Sequence, residues 1–254
     1  MALLSVENVS KRFGGLDALK DVTFSVHQGQ IKALIGPNGA GKTTLFNMVS
    51  GSYRPSAGRV LFAGVDVAGK PPHRICRMGV GRTFQQSLVF EEMSVVDNVA
   101  VGRYVRTRAG VLAAGLTLPV HRREEGETMK AAHEALRRVG LDQRAREPAE
   151  NLPMGERHLL EIARSLASEP QLLLLDEPAA GLNDEETGRL AETVRKIRDE
   201  GVTVLLVEHD MTFVMDISDE VVVLDYGRKI AEGPPLMIQD NEEVIKAYLG
   251  EELG

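Results

Sequence analysis

The chain has a single cysteine, Cys76, among its 254 residues, which excludes an internal disulfide and leaves that thiol as a small packing residue. It has no excess of positive charge. Thirty Lys and Arg against 37 Asp and Glu give a net charge of −7, so the broad basic surface that nucleic-acid binding requires is missing. Long apolar runs are missing too: stretches such as Ala109 to Val120 fall well short of the ~20 residues of a membrane-spanning helix. The start, Met1-Ala2-Leu3-Leu4-Ser5-Val6-Glu7, has neither the basic end nor the apolar centre of a secretory signal. No internal repeat or low-complexity linker interrupts the sequence. With 43% hydrophobic residues the chain can build a sizeable core, and these absences together predict a folded, soluble protein with a cytoplasmic address.

Strand texture is present at both ends and helical texture between them. Leu4 to Val9 and Asp21 to Val26 alternate apolar and polar residues, which predicts a small front β layer. Past Gly81 the texture turns helical. Met129, Ala132, Leu136 and Val139 share one helical face, with Thr128 as the expected N-cap and Gly140 as the stop, and the stretch from about Ser87 to Ser165 reads as a helical lobe. A helix after Gly155 is expected to bury Leu159, Leu160, Ala163, Leu166 and Ala167 and to end near Pro170. Leu172 to Leu175, Val204 to Val207 and Val221 to Leu224 are continuously apolar. The first two are separated by a helix carrying Leu190, Val194 and Ile197, the pattern of a parallel sheet covered on both faces. The expected class is α/β.

Gly36-Pro37-Asn38-Gly39-Ala40-Gly41-Lys42-Thr43-Thr44 fits the phosphate-loop pattern and follows the apolar run Ile31 to Ile35, as a loop leaving a buried strand should. Glycines let backbone N–H groups approach phosphates, and a helix starting near Gly41 adds its positive end. Lys42 is placed to hold the β- and γ-phosphates, Thr43 to ligate Mg²⁺ and Thr44 to add a phosphate hydrogen bond. An Asn-Lys-x-Asp guanine signature is lacking. Asp176, at the end of Leu172 to Leu175, sits where a strand delivers a carboxylate to the metal. The remaining histidines, His27, His73, His121, His133 and His158, lack metal-ligand spacing.

The order of these motifs, completed by Gln85, Leu152-Pro153-Met154-Gly155-Glu156 and His209, resembles the ATP-binding subunits of ABC transporters. The resemblance covers almost the whole chain. It implies a phosphate-loop ATPase core over residues 1–86 and 166–254 and a helical lobe over 87–165. It further implies that Glu177 orients or deprotonates the attacking water, that His209 contacts the γ-phosphate, and that Gln85 reaches Mg²⁺ and the water, with Gln86 as its neighbouring competitor. Phe13 stands where the family stacks an aromatic on adenine; an ordinary core phenylalanine is the alternative. Residues 152–156 resemble the family signature Leu-Ser-Gly-Gly-Gln but depart from it at Pro153, Met154 and Glu156. Gly155 is kept and is expected to meet the γ-phosphate bound by the opposite subunit. Asn183 replaces the aspartate common in the loop that crosses between subunits.

Three stretches, Asp176 to Asn183, Ala247-Tyr248-Leu249-Gly250-Glu251 and the extra length between Val101 and Thr128, look like ATPases of branched-chain amino acid importers. Relatives moving urea, amides or aromatic acids share these features, lipid exporters share the architecture, and soluble ABC ATPases of DNA repair form a further class. The implied ligands are ATP and Mg²⁺. The implied partners are separate transmembrane permease subunits, a second ATPase subunit in a heterodimer or a second copy in a homodimer, and indirectly a solute-binding protein, with no nucleic acid. The implied place is the cytoplasmic face of the inner membrane, held peripherally. The apolar segment Ala109 to Val120, flanked by Arg103, Arg106 and Arg108 and by Arg122 and Arg123, is expected either to meet the membrane side or to pack as a small hairpin on its own lobe.

Overall fold

The computed structural model describes residues 2–83, 89–107 and 119–249. Strands β1 (Ala2–Phe13) and β2 (Leu16–His27) form a hairpin, and β4 (Ala57–Phe62) and β5 (Val65–Asp66) extend it into an antiparallel sheet of order β2-β1-β4-β5. A second sheet contains β3 (Ile31–Ile35), β6 (Val80–Arg82), β7 (Leu172–Asp176), β8 (Thr203–Val207), β9 (Glu220–Asp225) and β10 (Arg228–Gly233). Its order is β10-β9-β3-β8-β7-β6, parallel throughout except for the antiparallel β10.

The apolar runs of β3, β7 and β8 are buried at every position because both faces of this sheet are covered. Alternate residues serve different cores. Leu34, Leu172, Leu174, Leu205 and Val222 point toward the antiparallel sheet, where Val6, Val60, Phe62 and Phe46 meet them. Ile31, Ala33, Leu173, Leu175, Val204 and Leu206 point the other way, toward the helices. These helices include α3 (Val95–Arg103), α4 (Pro119–Val139), α5 (Met154–Leu166) and α6 (Asp184–Asp199). Val99, Leu136, Ile162 and Val194 join them to the sheet in one continuous core.

The expected helix after Thr128 begins earlier than its apolar spacing indicates. α4 starts at Pro119, and Thr128 is a buried residue in its interior rather than its N-cap. The turns before Thr128 carry exposed charges such as Arg123 and Glu127, so no buried apolar stripe reveals them. The helix ends where expected, with Gly140 at φ +76°, a left-handed stop that suits glycine. α5 buries Leu159, Leu160, Ala163 and Leu166. The segment Ala109 to Val120 lies outside the described residues as far as residue 118.

Short elements complete the chain: α1 (Lys42–Val49), α2 (Pro72–Met78), α7 (Met211–Ile217), α8 (Pro235–Gln239) and α9 (Glu242–Leu249). Among the described residues, no helix is long and apolar enough to cross a membrane. Cys76 is partly buried, and burial pushes its thiol pKa up, which suits a packing residue.

Candidate functional site

Register brings the functional segments to one edge of the parallel sheet. Leu34 of β3 and Asp176 of β7 both pair with Val207 of β8, so the residues that follow each strand emerge side by side. In open α/β sheets this carboxyl edge is where ligands bind.

Two glycines of the loop after β3 sit where no side chain fits. Gly36 has φ +145°, and a Cβ there would lie 2.0 Å from the Leu224 carbonyl oxygen. Gly41, at φ +103°, caps α1, and its Cβ would meet Ala18 O at 2.7 Å. Lys42 is buried, and its ammonium donates to the carbonyl oxygens of Gly36 and Pro37 at 2.5 and 2.9 Å, inside the curl of the loop. Thr43 is exposed and Thr44 half-buried.

A groove of about 740 Å³ runs along this loop, lined by residues of the loop from Asn38 to Thr44 together with Glu177 and Phe13. Phe13 is 42% exposed, so it is not a core phenylalanine. Its ring meets Tyr53 edge-on at 5.3 Å, and the Lys11 ammonium lies 4.8 Å from its centre.

Asp176, the neighbour of Glu177 in sequence, is almost wholly buried, and its Oδ2 accepts from Arg82 at 2.9 Å. Burial pushes its pKa up, and the Arg82 guanidinium partly offsets that. A carboxylate and the Thr43 hydroxyl are hard oxygen donors of the kind Mg²⁺ shares with phosphates and water. Among the described residues, no group of three or more His, Cys, Asp or Glu side chains forms a metal cage.

Glu177 occupies the left-handed region at φ +49°, a strained setting for a residue with a Cβ. Its N–H donates to Val207 O at 2.9 Å, and its carbonyl accepts from Ala180 N at 3.2 Å. His158 Nδ1 lies 2.7 Å from the next carbonyl, that of Pro178, tying α5 to this turn. His209 follows β8 with its side chain 65% exposed. Between β8 and His209 sits Glu208, wholly buried, whose oxygens accept from Ala179 N at 2.8 Å and His209 N at 3.0 Å.

Gly155 does not join this groove. It opens a separate small pocket with Pro153, Glu156, Leu159, Glu186 and Arg189. A Cβ on Gly155 would come within 2.8 Å of Glu186 Oε1, so this glycine also serves packing inside the subunit. Pro153 caps α5 without a side-chain hydrogen bond. Glu156, in the first helical turn, is paired with Arg144. Asn183 is engaged in a capping box: its side chain accepts from Glu186 N at 3.0 Å, and Glu186 Oε2 accepts from Asn183 N at 3.1 Å. Gln85, with Phe84 and Gln86, lies outside the described residues.

Sequence reasoning overlooked Arg82, His158 and Glu208. The first two sit in segments whose patterns announce a strand end and a helix, with no signal for the side chain's partner. Asn98 was overlooked as well. Wholly buried at the start of α3, it accepts from Phe90 N at 2.8 Å and donates to the Phe90 and Ser94 carbonyls at 2.9 and 3.0 Å, fixing the loop before the helix.

Residues 19–180 match the ABC transporter family, and residues 228–253 match the branched-chain amino acid ATP-binding cassette transporter family. The chain is 46% identical over 250 residues to BraF of Pseudomonas aeruginosa, a high-affinity branched-chain amino acid transport ATP-binding protein, covering 98% of each. It is 44% identical to LivG of Escherichia coli K12, which carries the same description, again over 98% of each. Among solved structures it is similar to an ATP-binding cassette of an ABC transporter in its ADP conformation, with TM-score 0.86, 31% identity and coverage of 98% of this chain and 99% of that one. The chain belongs to the ATP-binding cassettes of ABC transporters, as its motif order and its groove both indicate.

Proposed function

We propose that this chain is the ATP-hydrolysing subunit of an importer for branched-chain or related amino acids. The observation that carries this reading is one groove lined at once by an exposed aromatic, Phe13, by the phosphate loop and by Glu177. That set of residues offers a ring face for adenine and backbone amides for phosphates. The 228–253 match and the names of the relatives support the cargo class.

In this reading Phe13 stacks on adenine, the amides of Asn38 to Lys42 and the Lys42 ammonium hold the phosphates, and Thr43, Gln85 and Asp176 hold Mg²⁺. Held by these residues, Mg²⁺ would supply charge neutralisation at the phosphates. Glu177 receives the proton of the attacking water, and the exposed His209 ring steadies the γ-phosphate end. Residues 1–86 and 166–254 form the ATPase core, and 87–165 form the helical lobe in which α3, α4 and α5 pack on one another.

Gly155 lines a pocket separate from the groove of its own chain, which favours a head-to-tail pair in which it faces the nucleotide of the other subunit. The pair binds permease subunits at the cytoplasmic face of the membrane. Purifying the chain gently from native membranes and identifying what accompanies it tests this reading. Two unlike membrane proteins and a second ATPase, together with ATP-driven leucine uptake by the reconstituted complex, are expected. A lipid-export membrane pair, or no membrane partner, would overturn it.

A further inference from the structure

Glu208 is 0% exposed, and burying a carboxylate is costly unless its oxygens are satisfied. Here they are satisfied by backbone. Oε1 accepts from Ala179 N at 2.8 Å, and Oε2 accepts from His209 N at 3.0 Å and Asp210 N at 3.4 Å. Ala179 lies two residues past Glu177, and the β7–β8 register that pairs Asp176 with Val207 sets the two segments side by side. The carboxylate is therefore a strap between the turn that carries Glu177 and the turn that carries His209. It holds His209 by its backbone N–H, with the ring Nδ1 3.7 Å from Oε2 and the side chain 65% exposed.

We propose that Glu208 is a positioning residue for ATP hydrolysis, fixing the spacing between Glu177 and His209 by accepting hydrogen bonds from both turns. The proposal rests on the reading of Glu177 and His209 as the hydrolytic pair. Its chemistry requires an acceptor on each side and a donor on neither, which a carboxylate provides. Glutamine has the same shape, but its NH₂ would face an N–H donor and one strap would be lost. The rest of the site would remain, since the phosphate loop and Phe13 do not touch Glu208.

The test uses the full chain purified with its membrane partners and measures ATP binding and turnover with Mg²⁺·ATP. Glu208→Gln is expected to lower kcat by about tenfold or more while leaving KM and ATP affinity within about twofold, because misplacement costs rate rather than binding. Glu208→Asp, which keeps both acceptor oxygens one methylene shorter, is expected to recover part of kcat. Combining Glu208→Gln with His209→Ala is expected to be little slower than His209→Ala alone, since both act through one arrangement.

Wild-type kcat in Glu208→Gln, or losses that simply multiply in the double variant, would overturn the proposal. Unfolding of both the Gln and Asp variants at the assay temperature would also overturn it, by making Glu208 a stability residue. The underlying reading fails separately: Glu177→Gln or His209→Ala turning over normally would remove the hydrolytic pair, whatever Glu208 does.

Discussion

Arg82 donates to Asp176 Oδ2 at 2.9 Å while its other terminal nitrogen donates to Asn47 Oδ1 and Ser50 Oγ, both at 2.7 Å. One guanidinium thus joins β6, the end of β7 and the far turn of α1, the helix that begins with Lys42 and Thr43. Breaking one partner of a buried pair costs about 3–5 kcal/mol because the other charge stays buried alone. Arg82→Ala is expected to lower the urea midpoint clearly. It should also raise the Asp176 pKa further, so that Mg²⁺-dependent ATP binding fails at a higher pH on acidification than in the wild type. Equal pH profiles for the two proteins would contradict this.

Glu177→Gln keeps the side-chain volume and removes the proposed base. Loss of a general base costs about 10²–10⁴-fold in rate. The variant is expected to bind ATP with near wild-type affinity and hardly hydrolyse it, as measured by nucleotide retention and phosphate release. Near-normal turnover would sink the assignment.

Burial raises the folded-state pKa of Glu208 above its ordinary value of 4.5. The folded chain then keeps a proton there that the unfolded chain has released, so the associated stability is complete below pH 4.5 and fades as pH climbs through the folded pKa. Glutamine does not titrate. The melting temperature of the wild type minus that of Glu208→Gln is expected to be smaller at about pH 7.5 than in the acidic range, as differential scanning calorimetry can check.

Arg144 pairs with Glu156 at the start of α5 and also with Glu147. Glu156 is a negative charge where the family signature has a neutral glutamine, near the end of the helix expected to face a γ-phosphate. Arg144→Ala should free that charge and raise the apparent KM for ATP of the assembled pair by a few-fold, in a salt-dependent way. Adding Glu156→Gln should restore it. A KM unmoved by Arg144→Ala at low salt would show that Glu156 does not face the nucleotide.

Gly36→Ala places a methyl 2.0 Å from the Leu224 carbonyl. The loop or β9 must move, and the expected result is loss of ATP binding together with a lower melting temperature. Gly39, at φ +77°, has no atom within 4 Å of its would-be Cβ, so Gly39→Ala should cost only the backbone strain of about 1 kcal/mol. Equal losses in the two variants would remove the steric account.

The parallel sheet was legible because β3, β7 and β8 are buried on both faces and therefore apolar at every position. The phosphate loop was legible because its glycines answer to backbone geometry, which leaves a fixed pattern. The polar sequence before Thr128 hid the start of α4, since it carries no apolar period. Glu208 was illegible for a different reason: a carboxylate after a strand looks the same in sequence whether it meets water or three amides. The Asn183 cap was legible in principle, because Asn-x-x-Glu before an apolar period is a capping-box spelling that competes with the subunit-crossing reading of the same residue.

The strand order has a consequence for the life of the protein before it works. β3, made at residues 31–35, takes its two neighbours from residues 203–207 and 220–225. A nascent chain on the ribosome therefore carries the phosphate-loop sequence through most of its synthesis without the strands that hold it in shape. Contacts this distant along the chain are slow to form. The phosphate loop therefore gains both neighbouring strands of β3 only when almost the whole chain has been translated.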